Sequence, residues 1–180
     1  MIVFVCGISK SGKTTIIQRA SMYARKWEHL RASSLIQAQG GVVSRLSAAS
    51  FIDNQPLLIS AIQASLPQVD KHIVLDGHLS VETEEGPQLV PDREIDRLPI
   101  VGVILIEDAV EEVTARRRTL GLWESEEEVA DLMGIEKIQA RRLARRKVVE
   151  FREMGSSEVE TFIAVLEELF MKSSSASIGR

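Results

Sequence analysis

The chain has 180 residues, of which 44% are hydrophobic and 27% charged, and a formal net charge of −4; this size and balance suit one globular domain with a sizeable core. The acidic balance argues against general nucleic-acid binding, which needs a basic surface, and no apolar run is long enough to span a membrane. Cys6 is the only cysteine, which excludes an internal disulfide and a cysteine-based zinc site.

The amino end, Met1 to Cys6, is apolar throughout and predicts a central parallel strand covered on both faces, with Cys6 as a small buried hydrophobe. No basic region or cleavage site precedes that strand, so a soluble, cytoplasmic protein is expected. Next comes Gly7-Ile8-Ser9-Lys10-Ser11-Gly12-Lys13-Thr14-Thr15, which matches G-x-x-x-x-G-K-[ST] between a strand and a helix. Glycines there let the backbone approach an anion, so that successive N–H groups and the positive end of the following helix surround phosphates. Gly7, Ser9, Lys10, Ser11, Gly12, Lys13, Thr14 and Thr15 are therefore the expected nucleotide-binding residues. Lys13 is placed to reach the β/γ-phosphates of ATP and Thr14 to ligate Mg²⁺.

After the loop, Ile16, Ala20, Tyr23, Ala24 and Trp27 recur at helical spacing and predict one helix with Tyr23 and Trp27 in the core. Residues 32–53 are rich in Ser, Ala, Gln and Gly, and Gly40-Gly41 divides them into two short helices or a loop. Asp53 or Asn54 then reads as a cap, with Pro56 in the first turn of a helix that ends near Pro67. His72 to Asp76 predicts the next buried strand. Ligands lie outside the carboxyl ends of such strands, which puts Asp76 in the same crevice as the loop. Leu79 to Val90, with a turn at Glu84 to Pro87, reads as a small hairpin beside the site.

Ile100 to Ile106 is a further core strand, followed by Glu107-Asp108 and a helix through about Arg118. Gly121-Leu122-Trp123 interrupts the pattern, and Ser125 with Glu128 marks the start of a long basic helix. That helix is expected to run to Gly155, followed by a short strand at 157–161 and a final helix over 162–171. Residues 172–180 are Ser-rich and expected to be disordered. Alternating strands and helices predict a three-layer α/β/α P-loop NTPase fold with a parallel sheet. Residues 1–171 would form a single domain, with a lid at about 116–140 and an acceptor-binding segment at about 31–54.

Gly7–Thr15, Asp76-Gly77-His78, the Ile104–Asp108 junction and the arginine-rich stretches after it resemble the archaeal-type adenylate kinases and related nucleoside monophosphate kinases. The resemblance implies transfer of the γ-phosphoryl group of ATP, with Mg²⁺, to a nucleoside monophosphate. It implies a metal-linked carboxylate at Asp76, a residue orienting water or acceptor at His78, and lid arginines drawn from Arg116–Arg118 and Arg141–Arg146. Arg117 and Arg141 are the chosen catalytic pair. Arg31 and Arg45 are the only arginines in the acceptor segment and become the substrate-binding candidates. Two other readings stay open: an ATP-binding switch with slow turnover acting on a protein partner, and a kinase for a small metabolite or an RNA end.

Overall fold

The computed structural model describes residues 1–24, 26–66 and 72–178. Its main sheet is built from β1 (Ile2–Cys6), β2 (Trp27–Arg31), β3 (His72–Asp76), β6 (Ile100–Ile106) and β7 (Glu150–Met154), ordered β2-β3-β1-β6-β7. Every pairing in it is parallel. Consecutive parallel strands need crossover connections, and helices supply them on both faces.

Strand β1 is central and buried along its whole length, because Ile2, Phe4 and Cys6 enter one apolar cluster while Val3 and Val5 enter another. On one face α1 (Lys13–Tyr23) and α7 (Val159–Ile178) cover Val3, Val5 and Ile104. On the other, α3 (Ala48–Ser65) and α6 (Glu126–Lys147) supply Ile59, Ile62, Leu143 and Ala144. The remaining elements are α2 (Ala32–Ala38), the hairpin β4–β5 (Ser80–Thr83 and Gly86–Leu89), α4 (Asp92–Ile95) and α5 (Val110–Arg118). The three-layer α/β/α architecture and the hairpin match the expectation.

Four local expectations are corrected. The first helix stops at Tyr23, which is 80% exposed, and Trp27 is buried on a strand instead of a helix. Residues 27–31 pair with β3 from Trp27↔His72 to Arg31↔Asp76; Trp27 packs on one face of the sheet and Leu30 on the other. The helix expected from Asp53 begins earlier, at Ala48, where the Ser47 side chain accepts the Ser50 N–H at 3.1 Å. Pro56 consequently lies inside that helix, and Pro67 falls outside the described residues.

Helix α6 ends at Lys147 because Val148 adopts a left-handed conformation (φ 55°), which turns residues 150–154 back to pair with β6. The last strand is therefore Glu150–Met154, and residues 157–161 hold a turn and the start of α7. The backbone stays helical through Ile178, across most of the segment expected to be disordered; residues 179–180 lie outside the described ones. Ser125 does form the expected capping box: its side chain accepts the Glu128 N–H at 3.2 Å, and Glu128 accepts the Ser125 N–H at 2.7 Å. No helix among the described residues is long and apolar enough to cross a membrane.

Candidate active site

Parallel pairing sets Val5 beside Asp76, so the loop after β1 and the carboxylate ending β3 emerge together at the carboxyl edge of the sheet. The loop takes positive φ at Gly7 (145°), Lys10 (68°) and Gly12 (101°). Gly12 also has no room for a side chain, because a Cβ there would lie 2.3 Å from Ser156 Cβ. The loop is thus closed against the turn that follows β7. Asp108 fixes that turn: its carboxylate accepts the Ser156 N–H at 2.7 Å, the Ser156 hydroxyl at 2.5 Å and the Arg116 guanidinium at 2.6 Å.

Lys13 is 5% exposed and donates to the Gly7 and Ile8 carbonyls at 2.6 and 3.0 Å. Burial lowers its pKa, and the Asp76 and Glu136 carboxylates counter that only in part. Thr14 donates its hydroxyl to Asp76 at 2.7 Å, and His29 lies 3.4 Å from the same carboxylate oxygen. Burial alone would raise the pKa of Asp76. The His29 contact, the Lys13 ammonium and the Thr14 hydroxyl outweigh it and hold the carboxyl below its usual range. His78 is half-buried; burial first, then the Lys13 charge, push its pKa down to about 3, so the ring is neutral at pH 7.

Two adjoining cavities open here. The larger, about 590 Å³, takes in Lys10, Lys13, Thr14, Arg31, Asp76 and Arg116. Ser9, Gly12 and Thr15 also line it, while Gly7 and Ser11 lie beneath the loop and do not. The smaller, about 240 Å³, is walled by side chains of α2, α3, the segment between them and the hairpin, including Ile36, Val43, Phe51, Gln55 and Val81. Ser9, Ala32, Ser33 and His78 face both cavities and mark where they meet.

Among the lid arginines, the two chosen from the sequence lie elsewhere. Arg117 is 0% exposed and is committed to Glu82 (2.5 and 3.1 Å), Glu124 (2.5 Å) and the Ser9 carbonyl (3.3 Å). Its neighbour Arg116, turned about 100° around the helix, is the one that reaches the larger cavity. Arg141 pairs with Glu153 at 3.2 Å and sits over the Phe151 ring beside β7, lining neither cavity. Arg45 is exposed with φ 48° in the turn between α2 and α3 and also lines neither, whereas Arg31 lines the larger one. Of the segment expected as a lid, Val129 and Met133 are packed against Ile8, which leaves the loop at 119–125, with Trp123 81% exposed, as its free part.

Sequence reasoning missed Glu136. It is 0% exposed on α6, and its carboxylate accepts the N–H groups of Gly7 (3.1 Å), Leu79 (2.9 Å) and Ser80 (2.7 Å) as well as the Ser80 hydroxyl (2.8 Å). One buried anion thereby ties the start of the phosphate loop to the start of the hairpin. Its position in the apolar stripe Val129, Met133, Ala140 and Leu143 was the available signal.

No known family model and no curated protein sequence matches the chain. Solved structures do. A shikimate kinase from Acinetobacter baumannii, solved in complex with shikimate, superposes with a TM-score of 0.61 at 14% identity, covering 96% of this chain and 93% of that one. The fold is that of the P-loop kinases. An uncharacterized protein from Eubacterium ventriosum is also similar, with a TM-score of 0.51 at 11% identity and coverage of 93% and 96%. The P-loop fold accounts for the strand order and for the loop at the carboxyl edge of β1, and the chemistry rests on the residues described above.

Proposed function

We propose that the protein is an ATP-dependent phosphotransferase that passes the γ-phosphoryl group to a small molecule held in the smaller cavity. The observation that carries this reading is the Thr14–Asp76 hydrogen bond in the larger cavity, which Lys13 also lines and which a second cavity adjoins. Phosphoryl transfer needs positioning and charge neutralisation rather than a covalent intermediate, and the site supplies cations, loop amides and no evident nucleophile.

Magnesium fits the donor set. No group of three or more His, Cys, Asp or Glu side chains among the described residues could cage a metal, but Mg²⁺ binds through one or two protein oxygens together with substrate phosphates. Thr14 and Asp76 would hold it, directly or through water. When bound, it would neutralise charge on the phosphate oxygens. Lys13 and the loop amides would bind the polyphosphate, Arg116 and Arg31 would flank it, and neutral His78 would orient the acceptor by a hydrogen bond. That the similar kinase was solved in complex with shikimate supports a small-molecule acceptor. A nucleoside monophosphate, the acceptor implied by the adenylate kinase resemblance, would have to place its phosphate on Arg31, the only arginine of the 31–54 segment that lines either cavity.

Calorimetry with MgATP, followed by ADP release in the presence of candidate acceptors, tests the proposal. Saturable binding with acceptor-dependent ADP release is expected. Absence of heat with MgATP would refute it.

A further inference from the structure

Charge is divided unequally between the two cavities. Lys10, Lys13, Arg31 and Arg116 line the larger one, and among the described residues no lysine or arginine lines the smaller. Behind its wall the Arg117 guanidinium is held by two carboxylates, and one of them, Glu82, itself lines the cavity.

The polar atoms that the smaller cavity does offer are of another kind. Gln55, 6% exposed, ties its amide N–H to the Phe51 carbonyl at 3.0 Å, and Asn54, 4% exposed, ties its own to the Val42 carbonyl at 2.6 Å. One N–H of each amide is engaged with backbone, and the second N–H and the carbonyl oxygen of each remain for a ligand at a site where the Phe51 ring and aliphatic side chains form the walls. Burying a phosphate dianion against such walls carries a large desolvation cost, and Arg31, across the junction in the larger cavity, is the one acceptor-segment arginine placed to offset it. A flat, uncharged body bearing hydrogen-bond donors and acceptors meets the same walls without that cost.

We infer that the acceptor is an uncharged hydroxyl compound with a ring system carrying hydrogen-bond donors and acceptors, the chemistry of a nucleoside, and not a nucleoside monophosphate. This rests on the phosphotransferase reading above and specifies its acceptor. In the reaction the acceptor hydroxyl oxygen forms a bond to the γ-phosphorus while the bond from that phosphorus to the β,γ-bridging oxygen breaks. ADP leaves with the bonding pair, and the hydroxyl proton passes to an oxygen of the new phosphate ester and from there to water. His78, facing both cavities, stands where that hydroxyl must lie.

The test gives the full chain MgATP with each common ribonucleoside and deoxyribonucleoside, and in parallel with each corresponding 5′-monophosphate, reading ADP release and product mass. At least one nucleoside is expected to gain a phosphoryl group with kcat/KM about 100-fold above that of its monophosphate. A better rate with the monophosphate, or no nucleoside product while calorimetry records MgATP binding, would overturn the inference and leave ATP use standing. Loss of MgATP binding itself would remove both. As a second variable, Gln55→Leu is expected to raise the nucleoside KM about tenfold with the ATP KM unchanged; equal shifts in both, or no shift, would remove the amide from acceptor recognition.

Discussion

The two cavities share four residues and are built in opposite ways. The larger takes Ser9, Lys10, Gly12, Lys13, Thr14 and Thr15 from one short stretch whose backbone, helix dipole and ammonium would all act on the same phosphates under the proposed function. The smaller gathers its walls from α2, α3, the hairpin and a residue of α6, and no short stretch supplies more than a part of it. A polyphosphate site can be specified locally because the ligand is invariant and mostly charge. An acceptor site is specified by packing, and packing is distributed.

Substitutions can break or sharpen that contrast. Lys13→Ala should have the largest effect, lowering kcat by a factor on the order of 10²–10³ in an ADP-release assay; the folded state should survive, as read by circular dichroism. Glu136→Gln should act on both cavities at once, because an amide NH₂ would meet backbone N–H donors where the carboxylate now accepts them. A loss of about 3 kcal/mol and a fall in Tm of about 6–12 °C are expected. An unchanged melting temperature would show that this carboxylate does not hold the loop to the hairpin.

His78 at the junction makes stability depend on pH. Its folded pKa of about 3 lies below its ordinary 6.5, so the unfolded chain takes up a proton that the native chain refuses. The contribution is complete above pH 6.5 and declines as pH falls toward 3. Between pH 7 and pH 5 the loss should be on the order of 2 kcal/mol, and His78→Gln should flatten that part of the curve in denaturant titrations. Among the arginines the expected effects are smaller. Arg116→Ala should raise the ATP KM about tenfold, whereas Arg141→Ala, which removes only its contacts with Glu153 and Phe151, should leave both Michaelis constants within about twofold. Equal effects of the two would erase the distinction between the cavity arginine and the surface one.

What the sequence disclosed follows the same division. The loop, the Asp76 strand end, the hairpin and the Ser125–Glu128 cap each carry their cause within a few neighbouring residues, and each appears where the pattern puts it. Strand β2 was hidden because Tyr23, Ala24 and Trp27 also fit a 3.6-residue period, and only pairing with β3 decides between the two forms. His29 was hidden with it, although it lies 3.4 Å from the same Asp76 oxygen that Thr14 bonds. Strand β7 depends on a left-handed Val148, a conformation no β-branched residue advertises. Arg116, Arg117 and Arg118 are indistinguishable in the sequence, and only the rotation of α5 sends Arg116 to the larger cavity and buries Arg117.

The contact between Gly12 and Ser156 bears on the order in which the protein can mature. The phosphate loop leaves the ribosome before its abutting turn and its Glu136 tether, which are translated more than a hundred residues later. A nascent chain halted before that turn would carry the whole nucleotide signature and lack the parts that close it, so ligand protection should arise late in synthesis. Truncation or a bulky fusion near residue 156 should therefore damage a site whose recognisable motif lies more than a hundred residues away in sequence.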